Sequence, residues 1–353
     1  MCKNRVRLLV IHAVATVFTA GGCASGRGTV AHAPAPTGPY LGQTPPGATA
    51  ALFAPGIVST GMNTRDVAMT PDGREIYWSV TVGPYSVIME TRLRDGRWTT
   101  PEVAPFSTNP NTMQIEPHIS PDGRRFYFLS NRPRDGSALP AELVGTWINQ
   151  DIWVMDRVAD GWGEPYHLGA PVDSDDEEYF PSVTRDGTMY FTRTPRGTRE
   201  NYIYRARFVN GAFQEPERLP RQVNSTTSQY NAFIAPDETY LILGTGARRD
   251  TRGGSDYYIV FRREDDTWSE PMNMGETVNT PLGGEWSPYV SPDGRYLFFM
   301  STRRLDPAGL PARLTRAALE RMHNAPMNGN SGIYWIDAGV IDRLRAQATF
   351  GAR

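Results

Sequence analysis

Cysteine is almost absent from this chain of 353 residues, with Cys2 and Cys23 the only two. A disulfide framework is therefore excluded, and stability has to come from packing. An excess of one charge is missing too: 36 Lys and Arg face 38 Asp and Glu, for a formal net charge of −2. The charges are interspersed, so nothing electrostatic invites nucleic acid. The five histidines, His12, His32, His118, His167 and His323, show no clustered metal-ligand spacing, and no metal or cofactor is expected. Gly-x-Ser-x-Gly occurs nowhere, which removes the nucleophile elbow. Gly253-Gly254 opens a strand rather than a helix, which removes a phosphate loop and leaves Asp256 to bond nearby amides. The apolar run Leu8 to Thr19 is too short to span a membrane stably.

What the chain does have is a repeat. Met69-Thr70-Pro71-Asp72-Gly73-Arg74, Ile119-Ser120-Pro121-Asp122-Gly123-Arg124, Val183-Thr184-Arg185-Asp186-Gly187, Ile234-Ala235-Pro236-Asp237-Glu238 and Val290-Ser291-Pro292-Asp293-Gly294-Arg295 write the same tight turn five times. The turn aspartates are spaced by 50, 64, 51 and 56 residues, a period that suits propeller blades. Each turn precedes an aromatic or β-branched run such as Ile76-Tyr77-Trp78, Phe126-Tyr127-Phe128 or Tyr296-Leu297-Phe298-Phe299, which sheet packing favours. A third strand follows in every copy, and outer strands begin near Pro101, Pro165, Pro216 and Pro271, where a missing ladder donor belongs on an edge.

The fifth copy lacks a Pro-led outer strand. Leu52-Phe53-Ala54-Pro55-Gly56-Ile57-Val58 resembles the internal passage Leu168-Gly169-Ala170-Pro171-Val172, so it is expected to supply the missing strand and close the ring. The fold class is thus all-β: one β-propeller of five four-stranded blades closed by an N-terminal strand, with six blades the alternative if residues 38–60 hold more strand.

The ends divide as follows. Lys3, Arg5 and Arg7, the apolar run and Ala20-Gly21-Gly22-Cys23 read as an export signal over residues 1–22. Residues 23–47, rich in Ala, Pro, Gly and Thr, read as a tether. The propeller spans 48–346, and 347–353 form a C-terminal tail. The tetrapeptide ending at Cys23 resembles the lipobox of bacterial lipoproteins, with Ala20 where Leu is usual, which implies lipidation of Cys23. Ordinary secretory cleavage nearby is the alternative, and either route exports the domain.

The Ser-Pro-Asp-Gly-Arg repeats, with Ser130-Asn131-Arg132-Pro133, Gly253-Gly254-Ser255-Asp256, Trp162-Gly163-Glu164-Pro165 and Trp268-Ser269-Glu270-Pro271, resemble the WD-repeat-like propellers of the TolB family over about residues 50–345. The resemblance implies a non-catalytic, protein-binding or scaffolding module of the bacterial cell envelope, lipid-anchored, on the outer membrane and facing periplasm or surface. Its partner is an envelope protein or peptide, or a glycan, and it meets the membrane through the anchor alone.

In up-and-down blades the crossovers share an end with the loops between second and third strands, and these connections are the variable ones. Two are long: Pro133–Gln150, and Leu305–Ser331 with a short helix over Leu314–Met322. The same end is expected to gather Asp66, Glu116, Glu178 and Glu285, the aromatics Tyr179, Tyr230 and Trp286, and the guanidinium forks of Arg132, Arg193 and Arg303. Against that binding face stands a plainer reading, in which these charges join blades. Five-bladed propellers also include glycosidases, so Asp66, Glu116, Glu178 and Glu285 are candidate acid and nucleophile if they converge unpaired on a pocket. His118 either faces the channel beside Glu116 or is a hydrogen-bonded structural histidine. The acidic run Asp173–Glu178 is a solvated loop or a calcium loop.

Overall fold

In the computed structural model the described residues are 35–351 apart from 282 and 307–308; the export signal and Cys23 lie outside them. Five antiparallel sheets follow one another along the chain. The first blade runs Asn63–Met69, Glu75–Val82, Tyr85–Arg94 and Glu102–Val103, and the second Gln114–Ile119, Arg125–Ser130, Asp151–Val158 and Tyr166–His167. The third is Glu177–Val183, Met189–Thr194, Tyr202–Ala206 and Glu217–Arg218; the fourth is Gln229–Ile234, Tyr240–Thr245, Asp256–Phe261 and Met272–Asn273. The fifth has Glu285–Val290, Tyr296–Ser301 and Gly332–Asp337, and its outer strand is Ala51–Leu52 from the other end of the chain. Each inner strand contacts the next around the ring, the fifth meeting the first. Residues 38–60 contribute this one strand and no sixth sheet.

The closing strand pairs Ala51 with Trp335 and Leu52 with Tyr334. Phe53, fully buried, packs edge-on against Phe298 and Trp335, with centroids 5.0 and 5.3 Å away. The turn motif explains its own repetition. The hydroxyls of Thr70, Ser120 and Ser291 donate to the turn carboxylates of Asp72, Asp122 and Asp293 at 2.6 Å, and the same carboxylates accept the amides of Arg74, Arg124 and Arg295.

A second repeated device holds the crossovers. Each leaves its blade past a polar residue that accepts the third-strand amide: Ser59 from Ile333, Ser107 from Ile88, Asp173 from Ile152, Asn224 from Ile203 and Asn279 from Tyr257, at 2.8–3.1 Å. Four positions are neutral, and Asp173 alone is an acid. Its second oxygen takes Gly169 N–H at 3.0 Å and lies 3.0 Å from His167 Nε2. His167 also approaches Asp151, which is held bidentately by Arg134 at 2.7 and 2.9 Å.

Asp151, His167 and Asp173 thus bring three ligand-type atoms within 4.8 Å, a cluster that no sequence spacing showed. Their oxygens are engaged by backbone and Arg134, and the clamp position is shared with Ser and Asn, so the cluster is a scaffold ion pair. Asp151 and Asp173 push the imidazole up to about 9. A histidine raised this way stabilises fully below its unfolded value near 6.5 and loses that contribution as pH rises through 9. Thermal denaturation should therefore show wild type losing more stability between pH 7 and 10 than His167→Gln does; equal slopes would remove the ion pair from the account.

The second-blade insertion carries only a short 3-10 turn, Ala141–Leu143, whereas the fifth-blade insertion forms helix α1, Arg316–Asn324. The helix starts two residues later than the apolar pattern predicts because Thr315 is its N-cap, accepting Ala318 N–H at 3.1 Å. Helix α2, Gly339–Arg345, buries Val340 and Ile341. Beyond it Phe350 bridges Ser269 and lies 3.7 Å from the Arg263 guanidinium.

Candidate functional site

Every inner strand breaks register once, and the residue at the break has a left-handed backbone: Asp66 (φ 53), Glu116 (φ 58), Phe180 (φ 52), Asn231 (φ 53) and Ser287 (φ 68). None is glycine. Each such residue costs on the order of 1–2 kcal/mol, so the contacts around the channel must hold all five in place. Pro117, Pro181 and Pro288 directly follow three of the bulges, a signal present in the sequence, since Pro in a sheet is confined to edges and bulges.

The bulges aim a polar network at the channel axis. Arg65 Nε bonds both oxygens of Asp66 at 2.8 Å, and its Nη2 donates to Glu116 Oε1 at 2.6 Å. The other Glu116 oxygen accepts Phe180 N–H at 2.8 Å. Ser287 donates to Asp66, and Asn231 Nδ2 donates to Ser287 at 3.1 Å. Asp66 and Glu116 are each 3 % exposed, and burial pushes the Glu116 carboxyl up to about 8 against the pull of Arg65.

One residue before each bulge stand Arg65, Ile115, Tyr179, Tyr230 and Trp286. Four of them, Ile115 excepted, join Glu116 and Asn231 as the floor of a funnel of about 440 Å³, walled by Trp147 and Gln150 of the second-blade insertion and by Glu177, Thr194, Thr198, Arg199 and Asn201. The aromatic arc on the third to fifth blades is as the sequence places it. Gly244 lies under Tyr230, where a Cβ would come within 2.9 Å of the ring, so only glycine lets the tyrosine lie flat there. Below the bulges the channel narrows to a void of about 10 Å³ between Asp66, Glu116, Phe180 and Tyr289. A ligand entering the funnel stops at the ring.

The four carboxylates do not converge. Glu178 and Glu285 stand two residues before their bulges, with no exposure, and neither lines the funnel. Glu178 accepts Ser174 Oγ and lies 2.7 Å from Arg193 Nε; Glu285 accepts Thr280 and Ser301 hydroxyls at 2.8 and 3.0 Å. Burial raises each to about 7.

The three arginines expected at the rim belong to the scaffold. Arg132 stacks on Phe128 and Trp153, Arg193 on Phe191 and Tyr204, and Arg303 on Phe299 and Tyr334. Each donates to the carbonyl just before a crossover clamp, Phe106, Val172 or Val278. The aromatic planes and the carbonyls hold these planar cations to their blades, against the cost of burying them. His118 is structural: Nε2 accepts Val183 N–H of the next blade at 2.9 Å, as Ser182 and Tyr289 accept Ile234 and Met69, and burial lowers its pKa to about 4. Arg65, Asn231, Ser287 and Trp147 were not singled out by sequence; aligning the copies at the bulge puts Asn231 and Ser287 in register with Asp66 and Glu116, and Arg65 in register with Tyr179, Tyr230 and Trp286.

No family model and no curated protein matches the chain. Among solved structures, TolB from Acinetobacter baumannii aligns at 18% identity over 78% of this chain and 57% of its own, with a TM-score of 0.43. A GH43 endo-arabinanase from Bacillus licheniformis aligns at 13% identity over 78% and 93%, TM-score 0.42, and a periplasmic gluconolactonase from Pseudomonas aeruginosa at 14% over 69% and 69%, TM-score 0.38. This chain therefore spans little more than half of that TolB. Likenesses this distant carry no argument about activity. The class is set by the molecule itself, a five-bladed β-propeller with a one-sided polar and aromatic funnel.

Proposed function

We propose that the protein is a non-catalytic binding module of the bacterial envelope, exported and held by a lipid on Cys23, that takes a segment of a protein partner at the funnel end. The observation that carries this reading is where apolar surface is left uncovered. Among the described residues, nine of the twelve exposed large apolar side chains, Met62, Val82, Tyr85, Trp147, Ile148, Leu305, Leu310, Leu314 and Leu319, lie in or directly beside connections at the funnel end of the fifth, first and second blades, while Val158, Tyr166 and Val209 lie outside them. Apolar side chains grouped round a concave, aromatic-floored site fit a protein interface. The carboxylates speak for binding over glycoside chemistry, because Asp66 and Glu116 share Arg65 and Glu178 and Glu285 are tied inside their blades.

The test is capture from crosslinked envelope with the mature domain. A defined protein should be retained by wild type and by Arg124→Ala at the turn end, and lost from folded Trp147→Ala/Trp286→Ala. Capture unaffected by the double variant, or no protein at all, overturns the proposal.

A further inference from the structure

The other mouth of the channel has a different chemistry. A bowl of about 320 Å³ opens between the Asp-Gly turns, walled by buried Met69, Ile119, Val183, Phe233, Ile234 and Tyr289. Its rim is the residue before each turn aspartate: Pro71, Pro121, Arg185, Pro236 and Pro292. Proline suits that turn position, and one blade departs from it. Arg185 N–H donates to the Pro236 carbonyl of the next blade at 2.9 Å, which accounts for the missing proline. Any residue with an amide proton would serve there, so the bond leaves the guanidinium unexplained. Among the described residues that guanidinium has no hydrogen bond, ion pair or aromatic partner.

The carboxylates beside it are held at their turns, Asp237 through one oxygen and Asp293 through both. Asp237 Oδ1 accepts the Thr239 amide and hydroxyl, and Asp293 accepts Ser291 and the Arg295 amide on one oxygen and Tyr40 on the other. At the floor, His118 uses Nε2 as acceptor, so its neutral ring carries the proton on Nδ1.

We propose that the bowl is a second binding site, for a small apolar molecule bearing one carboxylate. Arg185 pairs with the carboxylate at the rim, and the apolar body seats on Phe233 and Tyr289. The size falls within the range of ligand pockets, and a guanidinium with free forks is the usual partner of a carboxylate. The narrow void at the bulge ring separates this site from the funnel, so the ligand enters from the turn end. The proposal does not depend on what the funnel binds.

Octanoate and 1-octanol, alike in chain but not in charge, are the probes. By calorimetry octanoate should bind wild type about tenfold or more tighter than octanol, and Arg185→Gln, which keeps the amide donor, should erase that difference while octanol binding and thermal midpoint stay unchanged. Phe233→Trp should exclude both probes. No octanoate binding at millimolar concentration, equal affinity of the two probes for wild type, or an octanoate preference that survives in Arg185→Gln overturns the assignment.

Discussion

A chain shortened to begin at Asn63 is expected to lose its single cooperative unfolding transition and to associate. The cut removes the strand that covers Gly332–Asp337, exposing unpaired backbone along a long hydrophobic edge. It also removes Leu41, Phe53 and Val58 from the core cluster around Trp335, and with Ser59 the acceptor for Ile333 N–H. Burial of Phe53 alone is worth about 3–5 kcal/mol by the usual cost of Phe→Ala in a core, so the loss of the whole segment exceeds the stability of most domains. Size-exclusion chromatography and calorimetry read the outcome. A peptide spanning residues 48–62, added in trans, should restore a monomer with a sharp transition. A shortened chain that stays monomeric and melts like the parent would mean the ring closes by other contacts.

Arg65→Met should destabilise the protein by about 3–5 kcal/mol, because the substitution leaves Asp66 and Glu116 buried without their shared cation. The pH dependence separates this cause from simple loss of packing. In the variant the Glu116 carboxyl, already pushed up by burial, lacks the guanidinium that favoured its charge, so its folded pKa rises further. A carboxyl raised in the folded state penalises folding once the unfolded chain ionises, above about 4. The stability gap to wild type should accordingly shrink as pH falls from 7 towards 4. Glu116→Gln added to Arg65→Met should recover part of the loss at neutral pH. Urea denaturation at pH 4.5 and 7 measures both effects, and a gap that is the same at the two pH values would show that the pairing is not what the arginine contributes.

Much of this fold is legible because the turn is local chemistry. A hydroxyl two residues before an aspartate closes its own hairpin, so Thr70-Pro71-Asp72 and Ser291-Pro292-Asp293 announce themselves without reference to the rest of the chain. The closing strand is legible for a related reason, since Leu52 to Val58 copies an internal passage and only one blade lacks it. The aromatic arc of the funnel could be read from register, because Tyr179, Tyr230 and Trp286 hold the same place in successive copies.

The arginines and carboxylates were not legible in that way. Sequence put Arg132, Arg193 and Arg303 at the right end of their blades, but whether a long cationic side chain turns to solvent or folds back over an aromatic ring depends on what stands beside it. Likewise Glu116 and Glu178 look alike in the chain, and one bulge separates the residue that meets Arg65 at the axis from the one tied to Ser174 and Arg193. His167 had no ligand-like neighbour in sequence, and the crossover brings Asp173 and Asp151 to it. By itself the sequence determined the propeller architecture, the turns and the closing strand, which follow from short-range hydrogen bonding and an alternating apolar pattern, while the choice of five blades over six came with the structure. Which charges face the channel, which lock the blades and where the cavities open was decided only in the tertiary structure, because a bulge and a crossover set side-chain direction through contacts far apart in the chain.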